Sequence, residues 1–150
     1  MATPGNAVDK IRSLARAAGD PEPRTPGEFA RSCLEALAFA YRTCLDDLEL
    51  LTRERVGRID TIHIVGGGSK NQLLSQMTAD ATGRRVLAGP TEATAAGNIL
   101  VQAMTDGQVN DLASIRAIVA RSFETIEYKP SSSSRWDAEY SRFRERRERP

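Results

Sequence analysis

The sequence predicts an α/β fold, helix-rich with a small parallel sheet, and three observations carry that prediction. A β-branched run, Ile59 to Val65 (IDTIHIV), leads straight into Gly66-Gly67-Gly68 and then a helical pattern. A second short strand-like segment, Arg85 to Ala88, follows, and Gly89-Pro90 turns the chain into another helical pattern. Strand, helix, strand, helix in such short succession argues for a parallel βαβ unit. Upstream, a long amphipathic helix offers an apolar face to cover the sheet.

The elements follow in order. Val8, Ile11, Leu14 and Ala15 form a short amphipathic pattern, with Asn6 placed as N-cap and Gly19 as the stop. Asp20-Pro-Glu-Pro-Arg24 is a proline-rich link. Thr25-Pro26-Gly27-Glu28 is a capping box with proline at the first helical position. From it Phe29, Cys33, Leu34, Leu37, Ala38, Tyr41, Cys44, Leu45, Leu48 and Leu51 recur at spacings of three and four. That predicts a helix of roughly 30 residues closed by Gly57. Ile59–Val65 reads as a buried strand. A helix from about Lys70 to Thr82 is expected to be capped by Ser69 and ended by Gly83. Further helices are expected at about Glu92 to Asp106 and Leu112 to Phe123, the last burying Leu112, Ile115, Val119 and Phe123. Ser131 to Ser134 reads as a joint, and the Arg-rich remainder, with Asp137, Glu139, Glu145 and Glu148 among its arginines, as a solvated helix or frayed tail rather than a nucleic-acid arm. The expected division is therefore a domain over 1–128 and a flexible Ser/Arg-rich tail over 129–150.

Composition narrows the function classes. At 150 residues, with 40% hydrophobic and 27% charged residues, the chain has the size and make-up of one globular domain. A net charge of +1 gives no overall field to attract nucleic acid or an anionic membrane. No apolar run reaches the roughly 20 residues of a membrane span, and MATPGNAVDK lacks the apolar core of a secretory signal. The expected location is cytoplasmic. Cys33 and Cys44 lie 11 positions apart on one helix, about 16 Å along its axis, too far for a disulfide. With one His and two Cys, no metal-ligand spacing is present, so no metal site is expected.

Chemistry is suggested at one junction. Glycines at Gly66, Gly67 and Gly68 allow a sharp turn and let a ligand approach the backbone, and the following helix start favours a phosphate. A plain tight turn is the alternative. Lys70-Asn71 does not complete a P-loop. Asn71 also stands where a dinucleotide fingerprint needs its third glycine, with Arg84 and Arg85 where an acid belongs. His63 reads as a buried, hydrogen-bonded strand residue, since no nucleophile elbow accompanies it. Asp46, Asp47 and Glu49 read as a solvated helix face. Ala93, Ala95, Ala96 and Gly97 read as a close-packing surface against the glycine turn or the sheet.

Taken together, His63-Ile-Val-Gly-Gly-Gly-Ser69, Leu73-Leu74, Thr78-Ala-Asp-Ala-Thr-Gly83, Gly89-Pro-Thr-Glu-Ala-Thr-Ala95 and Gly97-Asn98 resemble the C-terminal domain of the FGGY carbohydrate kinases. The resemblance runs from about residue 6 through Tyr128. It is nearest to the branch that phosphorylates L-rhamnulose at its 1-hydroxyl. It implies the C-terminal part of an actin-like (ribonuclease H-like) ATPase domain, with ATP, and Mg²⁺ in a complete enzyme, as cofactors. It carries an adenine-nucleotide contact onto Gly66, Gly67, Gly68 and Asn71, with Gly68 foremost.

The same resemblance implies that the catalytic Asp and an N-terminal domain lie outside this sequence, so no catalytic residue is assigned. Some members carry cysteines near Ser69, Thr78 and Thr82, and this chain has none there. The expectation is a nucleotide-binding kinase portion not competent alone, partnered by a separately encoded N-terminal part or by itself. A stand-alone nucleotide-binding module or an inactive remnant are the alternatives.

Overall fold

The computed structural model of the chain describes residues 6–131 and 134–147. The first five residues, the middle of the serine run and the last three residues, with Glu148 and Arg149, lie outside it. The chain divides into two units, one up to Leu37 and one from Ala38 onward.

In the first unit, α1 spans Ala7–Ala17, and the Asn6 side chain accepts from the Val8 N–H at 3.2 Å, as the cap pattern predicts. Gly19 ends it at φ 71°, a left-handed value that glycine adopts without strain. Arg16 pairs with Glu22 at 2.7 Å, and the Arg12 guanidinium lies 5.4 Å from the centre of the Phe29 ring. The long helix α2, Pro26–Thr52, starts at the predicted capping box. Glu28 N–H donates to Thr25 Oγ1 at 3.3 Å, and the Glu28 carboxylate accepts from the Thr25 N–H at 3.0 Å. Those backbone donors, first that of Arg24 and then that of Thr25, hold the Glu28 carboxyl below its ordinary range.

The second unit is built on a three-stranded sheet in the order β1-β2-β3. β1, Thr61–Ile64, runs parallel to β2, Arg85–Ala88, with Thr61 opposite Arg85 and Ile64 opposite Ala88. A strand that the sequence pattern does not single out, β3, Ile126–Tyr128, pairs antiparallel to β2 and makes the sheet mixed. Between β1 and β2 the chain forms α3, Gln72–Thr82, which packs on β2 and β3. After β2 come α4, Ala93–Thr105, and α5, Leu112–Ser122, which pack on each other.

The core gathers Leu74, Met77, Ala79 and Ala81 of α3, Val86 and Ala88 of β2, Ile115 of α5, and Ala38 and Leu45 of α2. α3 also buries three hydroxyls: Thr78 Oγ1 donates to the Leu74 carbonyl at 2.7 Å and Thr82 Oγ1 to that of Thr78 at 2.6 Å, while the buried Ser75 Oγ has no hydrogen-bond partner among the described residues. Gly83 ends the helix in the left-handed conformation, as expected.

Several expectations are corrected by packing. β1 is an edge strand with alternating faces, so it is not buried throughout. Its Thr61 and His63 lie on the sheet face shared with Arg85 and Glu127, where Arg85 donates to Thr61 Oγ1 at 3.0 Å and pairs with Glu127 at 3.7 Å. His63 is accordingly exposed, not buried. Leu112 is exposed because it opens α5, while Ile115, one turn on, is buried. Gly97 has open space at its Cβ position and Ala95 is exposed, so the small residues of α4 are not a close-packed surface.

In the tail, the helical alternative is the one observed. Ser134–Arg147 forms α6, held by rings rather than left frayed. Phe39 of α2 lies 5.3 Å from Trp136, 5.9 Å from Tyr140 and 5.3 Å from Phe143, centre to centre. Arg42 adds an ion pair to Asp137 at 2.7 Å and a face contact to the Tyr140 ring at 4.2 Å. The aromatic spacing Trp136, Tyr140, Phe143 is a helical stripe that the surrounding charges obscure.

Candidate functional site at the glycine turn

β1 and β2 are parallel and in register, so their C-terminal ends and the loops that follow lie side by side. In open α/β sheets that end is where ligands bind. The loop after β1 is one 3₁₀ turn, Gly66–Lys70, and Asn71 then caps α3. The loop after β2 contains Gly89, Pro90 and Thr91.

Backbone hydrogen bonds join the two loops. The Gly66 N–H donates to the Pro90 carbonyl at 2.9 Å, and the Gly89 N–H to the Ile64 carbonyl at 2.8 Å. The Ser69 hydroxyl donates to the Gly66 carbonyl at 2.7 Å and lies 3.4 Å from Thr91 Oγ1. Ser69 is thus a buried brace within the turn and not the helix cap expected of it. The cap is Asn71, whose Oδ1 accepts from the Leu74 N–H at 3.0 Å. The intervening 3₁₀ turn moves the start of α3 two residues on.

The three glycines do different work. Gly66 has φ +76°, so it supplies conformation. Gly67 and Gly68 have ordinary φ values and are exposed. A Cβ on Gly67 would meet nothing within 4 Å, and one on Gly68 only Ile64 Cγ2 at 3.9 Å. Any side chain there would stand in the open space over the turn, where a ligand would approach the backbone. Asn71 is exposed beside it and its side chain is already engaged as the cap. The first N–H groups of α3 have no carbonyl one turn back in the helix and add the positive end of its dipole. The geometry suits a polar or anionic ligand held by backbone groups.

Three carboxylates of α2 and α3 are held by other partners. Asp46 accepts from the Tyr140 hydroxyl at 2.7 Å, and Asp80 from Gln76 Nε2 at 2.9 Å and the Ser131 N–H at 2.8 Å. Glu49 accepts from the Ile59 N–H at 2.9 Å and pairs with Arg84 at 3.0 Å, so the expected solvated face is in part a set of tertiary cross-links. Among the described residues no group of three or more His, Cys, Asp or Glu could hold a metal. Cys33 and Cys44 are free and exposed. A polar depression of about 810 Å³ in the first unit is lined by residues including Arg12, Arg16, Glu22 and Arg24. Arg16 and Glu22 neutralise one another there. The Ser69–Thr91 contact was outside the reach of motif reading. Parallel pairing of β1 and β2, had it been carried on to their following loops, would have pointed to it.

Residues 3–105 match the C-terminal domain of the FGGY family of carbohydrate kinases. The chain is 42% identical over 144 residues to a rhamnulokinase of Bacteroides thetaiotaomicron, covering 96% of this chain and 29% of that protein. It is 41% identical over 127 residues to a rhamnulokinase of Enterococcus faecalis (84% of this chain, 25% of the relative) and 37% identical over 132 residues to one of Bacillus subtilis (88% and 27%). It therefore spans a little over a quarter of the length of such relatives. The crystal structure of xylulose kinase from Rhodospirillum rubrum superposes with a TM-score of 0.58 at 24% identity, over 85% of this chain and 25% of that one. The fold is the expected one, the C-terminal part of an actin-like, ribonuclease H-like domain, here with a mixed sheet.

Proposed function

The chain belongs to the FGGY family of carbohydrate kinases, as its C-terminal domain, and from that premise we propose that it is the nucleotide-side part of an ATP-dependent kinase acting on L-rhamnulose. The observation that carries the reading is the pair Gly67 and Gly68. They are exposed on a turn braced at the ends of two parallel strands, with open space where a side chain would be. The rhamnulokinase relatives support the sugar, and the family supports ATP. With ATP goes a cytoplasmic location. Among the described residues no helix is long and apolar enough to cross a membrane.

In this reading Gly66 shapes the turn, while Gly67 and Gly68 let the nucleotide reach the backbone. Asn71 keeps the start of α3 aligned towards it. ATP, with Mg²⁺, supplies the phosphoryl group that passes to a sugar hydroxyl. Phosphoryl transfer depends on positioning and on charge stabilisation, with a base to orient the attacking hydroxyl. The carboxylates Asp46, Glu49 and Asp80 are committed to structural partners away from the turn. In this reading the base belongs to another part of the kinase, and the 150 residues alone are expected not to turn over.

Titration of ADP and Mg-ATP into the ¹⁵N-labelled chain tests the site. Perturbed amides should map to Gly66–Asn71. Saturable perturbation elsewhere, with none at the turn, overturns the assignment. An ATP-consumption assay with L-rhamnulose tests the second claim, and turnover that persists through repeated purification would defeat it.

A further inference from the structure

The glycine turn and the loop after β2 are joined by a chain of hydroxyls with a defined direction. Ser69 is 7% exposed and donates to the Gly66 carbonyl at 2.7 Å. A hydroxyl has one proton to give. At the 3.4 Å contact between Ser69 Oγ and Thr91 Oγ1 the donor is therefore Thr91. The order runs from Thr91 to Ser69 to the Gly66 carbonyl. The short Ser69 bond is the stronger link and the longer Thr91 contact the weaker. The backbone bond from the Gly66 N–H to Pro90 runs alongside, so the residue at φ +76° is held through both its N–H and its carbonyl.

Three successive glycines have more backbone freedom to lose than any other triplet. Left unbraced, the turn would spend part of its time in shapes that cannot dock a ligand. Apparent affinity falls with the fraction that can. Resting on the nucleotide reading of the turn, we propose that Ser69 and Thr91 are positioning residues. Their hydroxyls hold Gly66, and through it the exposed Gly67 and Gly68, in the shape that receives the nucleotide. They act without touching the ligand.

The test uses the full chain with Ser69→Ala, Thr91→Val and the hydroxyl-preserving Thr91→Ser. Two readouts are taken: ADP affinity, and amide hydrogen exchange across Gly66–Asn71 without ligand. Loss of a hydroxyl should weaken ADP binding about three- to tenfold, more for Ser69→Ala, and speed exchange at the turn. Thr91→Ser should restore both. A merely structural role would instead speed exchange throughout α3 and lower global stability in step, which overturns the proposal. Unchanged affinity and exchange in Thr91→Val and Ser69→Ala also overturn it, and if Ser69→Ala fails to fold, Thr91→Val decides. If the unsubstituted chain shows no ADP perturbation at the turn, the nucleotide reading falls and the proposal with it. Exchange in the same variants still reports whether the brace exists, so the two failures are told apart.

Discussion

Arg84 closes on Glu49 with both carboxylate oxygens in reach, at 3.0 and 3.2 Å, while its Nε donates to the Ile59 carbonyl at 2.7 Å. Glu49 in turn accepts from the Ile59 N–H at 2.9 Å, so one ion pair clasps both backbone groups of a single residue. The end of α2, the entry to β1 and the entry to β2 are fastened at this point. Both side chains are largely covered, Arg84 at 17% and Glu49 at 24% exposure, which places the pair above an ordinary surface bridge.

The first prediction concerns pH. The Ile59 N–H first, and then Arg84, hold the Glu49 carboxyl below its ordinary range. A carboxyl with a lower pKa folded than unfolded stabilises the fold above the unfolded value, about 4.3 for Glu. That contribution is lost as pH falls through the lower, folded value. Glu49→Gln should cost about 1–2 kcal/mol at pH 7 and much less in acid. Urea unfolding of both proteins at neutral and acid pH measures this. A gap that stays constant down to acid would refute it.

Gly89 gives a second. At φ +121°, a Cβ there would lie 2.8 Å from the Glu124 carbonyl oxygen. Gly89→Ala should destabilise by about 2–4 kcal/mol through clash and backbone strain together. β3, which begins two residues past Glu124, should loosen first. Amide exchange at Ile126 and Tyr128, the β3 residues opposite Ala88 and Val86, is the local readout, and full protection there would contradict the assignment.

Gly68→Val should do the opposite. With only Ile64 Cγ2 at 3.9 Å near its Cβ position, it should fold with a stability change of roughly 1 kcal/mol or less. Its branched side chain would fill the space over the turn, so ADP binding should be lost. Equal ADP affinity in the two proteins would move the site away from this turn.

The ring cluster gives a fourth. Phe39 touches Trp136, Tyr140 and Phe143, so Phe39→Ala should cost about 2–4 kcal/mol and release α6. Trp136 is the chain's one tryptophan and reports this directly through its emission. Emission unshifted from that of the native chain would show α6 to be held by other contacts.

The last concerns association. Leu48, Leu50 and Leu51 of α2 are exposed, at 45, 67 and 81%, and β1 has one neighbouring strand. Open strand edges and apolar faces of this kind associate. Light scattering at about tens of micromolar should show species larger than a monomer. A stable monomer unfolding cooperatively would refute this.

Local chemistry was legible without tertiary information. The capping box at Thr25–Glu28, the stops at Gly19 and Gly83, strand β2, the end of α3 and the bounds of α4 each depend on residues within a turn or two of one another. The glycine turn was legible for the same reason, because three glycines between a strand and a helix constrain the backbone wherever they occur. What only the tertiary structure decided was partnership. β3 is three residues whose strand character comes from pairing with β2. His63 looked buried among isoleucines, but strand alternation and a one-sided sheet turn it outward. Glu49 looked solvated until Arg84, 35 positions on, met it. Ser69 looked like a cap until the loop after β2 came alongside, at a distance in sequence that no local pattern spans.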